Sequence, residues 1–134
     1  MNGTEPIVYV VEPDEAVRDS LRTLIRRSPL SVETFASAEE FLGHYDAGRA
    51  GCLVLEMELP GMSGLDLQRH LAERGIDLPV IALSTLGSVT AAVQAMRGGA
   101  IDFLEKPYLP RVLMRRVREA VGQRTEPASP RRTI

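Results

Sequence analysis

The chain has 134 residues, 44% of them hydrophobic and 25% charged, with a formal net charge of −2. That length supports one sizeable core but not two, and no apolar run nears the roughly 20 residues of a membrane-spanning helix, so one soluble cytoplasmic domain without membrane contact is expected. The opening residues MNGTEPIVYVVEPD lack the basic segment of a secretory signal, and a lone cysteine, Cys52, excludes an internal disulfide or a zinc cage and is expected as core filler.

In chain order, residues 7–11 form a short apolar run that fits a strand and is too short for a helix. A helical pattern follows over 14–27, with Val17, Leu21, Leu24 and Ile25 on one face and Asp14 able to cap the start. The run 31–35 reads as the second strand. The next helix, 37–45, opens with Ser37 and Glu40 in capping-box spacing and turns Phe41, Leu42 and Tyr45 inward. Residues 52–57 give the third strand and 65–74 the third helix, closed by Gly75 where a C-cap favours positive φ. After the fourth strand, 79–83, comes a helix over 88–97 with Val89, Ala92, Val93 and Met96 on one stripe, broken by Gly98 and Gly99. The fifth strand, 101–104, precedes a helix over 111–121 with Leu113, Val117, Ala120 and Val121 apolar. Residues 122–134 have no apolar periodicity and two prolines, and are expected as a flexible tail or truncated linker after a domain spanning 1–121.

Five alternating strands and helices predict an α/β doubly wound parallel sheet of flavodoxin-like form, with strand order 2-1-3-4-5. Ligands of such sheets bind beyond the carboxyl ends of the strands. There stand Glu12 and Asp14 after the first strand, Glu56 at the end of the third, Ser84 and Thr85 after the fourth, and Lys106 after the fifth. Fifteen of the sixteen basic residues are Arg, so the single Lys at such a position asks for a reason. Carboxylates from two strands could hold Mg²⁺, and a hydroxyl with an ammonium could cradle a phosphoryl group. Equally, Lys106 could serve only to neutralise Glu12 or Glu56. The two histidines, His44 and His70, fall on predicted helices and are expected to be exposed, away from these strand ends, and no nucleophile and base pair suggests hydrolysis.

The stretches VYVVEPDEAVRDSLRTLI, CLVLEMELPGMSGLDLQRHL, LPVIALS and AMRGGAIDFLEKP resemble the receiver domain of two-component response regulators, most closely its FixJ-like branch, over residues 7 to about 121. The resemblance implies phosphorylation by a sensor kinase of an Asp ending the third strand, with Mg²⁺ held by two acids after the first. It assigns Ser84 as the hydroxyl and Lys106 as the lysine, with the following bond to Pro107 usually cis. It makes Phe103 the switch aromatic and Glu58 a metal ligand through its backbone carbonyl. The output face it implies joins the fourth helix, fifth strand and fifth helix, here with Met96, Arg97, Asp102, Arg111, Arg115 and Arg118, as a homodimer or partner contact.

Three positions depart from the family. Glu56 stands at the phosphoacceptor position, Glu12 and Pro13 where two acids are usual, and bulky Thr85 where a small residue admits phosphate. One extra methylene carries the Glu56 carboxylate about 1.3–1.5 Å further, and a misplacement of about 1 Å can cost on the order of a hundredfold in rate. Pro13 supplies no carboxylate, so Mg²⁺ at Glu12, Glu56 and the Glu58 carbonyl is expected to be weak or absent, with no other cofactor. The expectation is an atypical receiver: a non-enzymatic signalling module acting through protein contacts, independent of phosphorylation and tied to transcription. The rivals are phosphorylation at Glu56 or Asp14 and a small-ligand-binding module. Although residues 111–134 hold seven basic and two acidic side chains, no direct nucleic-acid contact is expected of this domain. If Glu56 reaches both Lys106 and Ser84, its carboxylate would mimic a phosphoryl group; if it reaches Lys106 alone, an inactive-like state is expected.

Overall fold

Runs of Val, Ile and Leu too short for helices become the buried centre of the molecule. The computed structural model describes residues 5–45, 48–85 and 88–125. In chain order these form β1 (Ile7–Val11), α1 (Glu15–Arg26), β2 (Ser31–Phe35), α2 (Ala38–His44), β3 (Gly51–Glu56), α3 (Gly64–Glu73), β4 (Val80–Ser84), α4 (Val89–Arg97), β5 (Asp102–Glu105) and α5 (Pro110–Thr125). All neighbouring strands pair in parallel, in the expected order β2-β1-β3-β4-β5.

Alternate strand residues feed two cores. Ile7, Tyr9, Leu53, Leu55 and Ala82 pack under Phe41 of α2, Leu67 and Leu71 of α3 and Ala95 of α4. Val8, Val10, Cys52, Val54, Ile81 and Leu83 pack under Leu21 and Ile25 of α1 and Leu113 and Val117 of α5. Both faces of the central strands are thereby buried, which is why those segments are continuously apolar rather than alternating. Cys52 is core filler as expected, and burial pushes its thiol up to about 12, leaving it protonated and inert at neutral pH.

Several boundaries move. The third strand is 51–56 rather than 52–57, with Glu56 at its end as expected, and Ser84 is the last residue of β4 rather than a loop residue. The fifth helix begins at Pro110, where the missing N–H costs no intrahelical bond, and continues through residues 122–125, which were expected in the tail. Residues 126–134 of that expected tail lie outside the described residues. Gly75 takes the anticipated positive φ, 67°, after α3.

The larger correction concerns α4. Its apolar stripe faces outward: Val89, Val93 and Met96 are 81%, 41% and 46% exposed, and the buried residue is Ala95. A small side chain there lets α4 lie close to the sheet and leaves the larger ones in solvent. Among the described residues no helix is long and apolar enough to cross a membrane.

Candidate functional site

The carboxyl ends of β1, β3, β4 and β5 bring one cation and three carboxylates together. Lys106 follows β5 in a loop whose Lys106–Pro107 bond is cis, and its amide donates to the Ser84 carbonyl at 2.8 Å. Its ammonium lies 2.8 Å from Glu12 Oε1 and also pairs with Glu56 Oε1. The other oxygen of each acid is held by backbone: Glu12 Oε2 accepts from the Asp14 amide at 3.1 Å, and Glu56 Oε2 from the Glu58 amide at 3.0 Å. Both acids are almost wholly buried, so the lysine is their counter-ion and not a surface charge.

Ser84 takes a different partner. Its hydroxyl donates to Glu58 Oε2 at 2.8 Å, and the Thr85 amide donates to Glu58 Oε1 at 3.3 Å. Glu58 was expected to offer only a backbone carbonyl; instead its side chain enters the site. The carboxyl groups of Glu56 and Glu58 also meet within hydrogen-bonding reach, so that a protonated Glu56 can donate to Glu58. Burial, with that bond adding to it, pushes Glu56 up to about 7 against the opposing pull of Lys106 and the Glu58 amide. Burial also acts to raise Glu58, but hydrogen bonds from Glu56, Ser84 and the Thr85 amide outweigh it and carry Glu58 below the ordinary value. For Lys106, burial is overcome by its bonds to Glu12 and Glu56, and its pKa rises.

Asp14, grouped with Glu12 in the expected acidic pocket, is exposed and engaged elsewhere. Its Oδ1 accepts from the amides of Ala16 and Val17, at 2.9 and 3.3 Å, and caps α1. An Asp14→Ala variant is therefore expected to lose about 1 kcal/mol of unfolding free energy while leaving the Lys106 cluster unchanged, as read by urea unfolding and by the amide spectrum around Glu58.

Arg18 was missed. On α1 it reaches back to donate to the carbonyls of Glu12 and Pro13, at 2.9 and 3.0 Å, and pins the loop after β1. The available signal was a cation close to a helix N-terminus, where the dipole disfavours it unless it serves a local purpose.

The donor set does not suit Mg²⁺ as arranged. Lys106 occupies the space between Glu12 and Glu56, Pro13 brings no carboxylate, and Glu58 spends both oxygens on Ser84 and Thr85. Among the described residues, no group of three or more His, Cys, Asp or Glu side chains is arranged to hold a metal ion.

Phe103, on β5, is partly buried against the α2–α3–α4 core. On the expected output face, Met96, Arg97, Arg111, Arg115 and Arg118 are exposed. Asp102 is not available there in the same way, because Arg116 of α5 forks onto both of its oxygens. Ile101 and Leu109 extend the exposed apolar surface. His44 is exposed on α2 and His70 partly buried on α3, both outside the cluster.

The sequence profile of the response regulator receiver domain matches residues 8–118. The chain belongs to that family. Among curated relatives, this receiver is 42% identical to the response regulator protein TmoT of Ectopseudomonas mendocina over 90% of its own length and 55% of TmoT. It is likewise 42% identical to the transcriptional regulatory protein FixJ of Azorhizobium caulinodans, over 89% of the chain and 56% of FixJ. The receiver thus spans about half the length of these relatives. Among solved structures it resembles the response regulator StyR, with a TM-score of 0.85 at 38% identity over 90% of this chain and 61% of that one. It also resembles FixJ-N, with a TM-score of 0.82 at 34% identity over 93% and 99%.

Proposed function

We propose that this receiver signals through protein contacts without taking up a phosphoryl group at residue 56. One observation carries the proposal: every group the family would turn toward a phosphoryl group is already engaged by the chain's own carboxylates. Lys106 is held between Glu12 and Glu56, and Ser84 with the Thr85 amide is held by Glu58. Glu56 pairs with Lys106 as in the second of the two arrangements anticipated for it, the one tied to an inactive-like state, while Ser84 goes to the Glu58 carboxylate. Mg²⁺ binding is accordingly weak, and the domain is not an enzyme.

Output runs through the face of α4, β5 and α5, where Val89, Val93, Met96, Ile101 and Leu109 are exposed beside Arg97, Arg111, Arg115 and Arg118. An apolar patch rimmed by charge suits a second copy or a protein partner. Phe103, partly buried on β5 against the hydrophobic core, takes the switch-aromatic role in this reading. FixJ and the transcriptional regulatory protein TdiR of Thauera aromatica, 41% identical, support a place as the regulatory part of a transcription regulator in the cytoplasm.

The test is intact mass spectrometry after incubation with Mg²⁺ and a small acyl-phosphate donor, beside Glu56→Asp. The wild-type chain is expected to gain no phosphoryl group, and labelling at Glu56 or Asp14 would overturn the proposal. A gain by Glu56→Asp would locate the block at Glu56 alone, and none would implicate Pro13, Thr85 and Glu58 as well.

A further inference from the structure

Resting on the phosphorylation-independent reading above, we propose that Glu58 is the specificity-determining residue of the site: an internal ligand whose carboxylate fills the anion position at Ser84 Oγ and the Thr85 amide and so keeps external anions out.

The geometry is that of a bound carboxylate. Two oxygens meet two donors from adjacent residues, a hydroxyl at 2.8 Å and a backbone amide at 3.3 Å, at the end of a buried strand. Hydroxyl and amide donors fixed to rigid backbone are what recognises a phosphate or carboxylate oxygen, and a charged acceptor gives the stronger hydrogen bonds. Glu58 itself is an exposed loop residue two positions past Glu56, so it approaches from the solvent side of the pocket. Its amide is meanwhile tied to Glu56 Oε2. The backbone of residue 58 is thus anchored while its side chain closes over Ser84, and an incoming anion has both to displace that carboxylate and to face its charge.

Removing the Glu58 side chain therefore opens the anion position, while Glu12 and Glu56 keep their own anchors on the Asp14 and residue-58 amides and on Lys106. The test is inorganic phosphate titrated into the ¹⁵N-labelled chain at neutral pH, following the Thr85 amide in wild type, Glu58→Ala and Glu58→Gln. In the absence of phosphate, loss of the charged acceptor is expected to move the Thr85 amide proton upfield in Glu58→Ala. With phosphate, that variant is expected to give a saturable shift at Thr85 with an affinity at least tenfold tighter than wild type. Glu58→Gln, which keeps the shape and an acceptor oxygen but not the charge, falls between. An unchanged Thr85 resonance in both variants, or equal phosphate responses in all three proteins, would overturn the assignment. Acyl-phosphate labelling of wild type would instead sink phosphorylation-independence, while the Thr85 titration would still report on Glu58.

Discussion

Replacing Lys106 with Met is expected to lower the unfolding free energy by about 3–5 kcal/mol near neutral pH, the range found when one partner of a buried ion pair is removed. The size follows from what stays behind. Glu12 and Glu56 have side chains only 3% and 4% exposed, and both lean on the same ammonium. Without it, two buried carboxylates and Glu58 face one another with no cation, since Arg18 is committed to the Glu12 and Pro13 carbonyls and Arg116 to Asp102. Met keeps the length and apolar stem of lysine, so lost packing is a minor part of the effect. The sign with pH is fixed by linkage. Without the ammonium that pulls against it, Glu56 holds its proton to still higher pH in the folded chain than in the unfolded one, so the variant's deficit shrinks as pH is lowered toward about 5 and grows as it is raised toward about 8. Urea unfolding at the two pH values measures this. A deficit below about 1 kcal/mol at both, the scale of a solvated surface pair, would mean that the ammonium is not the counter-ion of the buried acids.

The sheet was open to sequence reasoning because strands buried on both faces must be continuously apolar, and five such runs separated by amphipathic segments admit few topologies. The positions of Glu12, Glu56, Ser84 and Lys106 came with it, since parallel strands present their carboxyl ends at one edge. What those residues bond to did not. Glu58 could be located in a loop, but the direction of its side chain depends on the hydroxyl of Ser84, 26 residues away. Asp14 fitted two roles, and the amides of Ala16 and Val17, fixed by the start of α1, decided between them. The stripe on α4 exposes a limit of periodicity: a 3.6-residue repeat says that Val89, Val93 and Met96 share a side, not that the side is inward. Ala95 decides that, as the position where α4 lies closest to the core. Asp102 likewise belonged to the exposed face until α5 brought Arg116 over it, fourteen residues on.

The raised pKa of buried Glu56 gives the second large effect. A Glu56→Gln variant is expected to flatten the dependence of stability on pH between about 5 and 7. In wild type, Glu56 is raised from 4.5 to about 7, so over that window the folded chain holds a proton that the unfolded chain releases. Stability contributed by that proton is complete below the unfolded value and is lost as pH rises through the folded one. Each pKa unit corresponds to about 1.4 kcal/mol, so the loss across the window is on the order of 2–3 kcal/mol. Glu58, lowered instead, contributes with the opposite sign, but its stabilisation is lost only as pH falls below the ordinary Glu value, outside that window. The charged groups facing Glu56 are Lys106 and Glu58, with Glu12 across the shared ammonium. The amide introduced by Glu56→Gln does not titrate and can donate toward Glu58 at every pH, as the neutral Glu56 carboxyl does below about 7. Wild type and Glu56→Gln are therefore expected to differ most in slope: wild type loses stability from pH 5 to 7 and the variant stays nearly level. Parallel dependences of urea-unfolding stability on pH for the two would show that no proton is held between Glu56 and Glu58, and that the two acids are ionised together against Lys106.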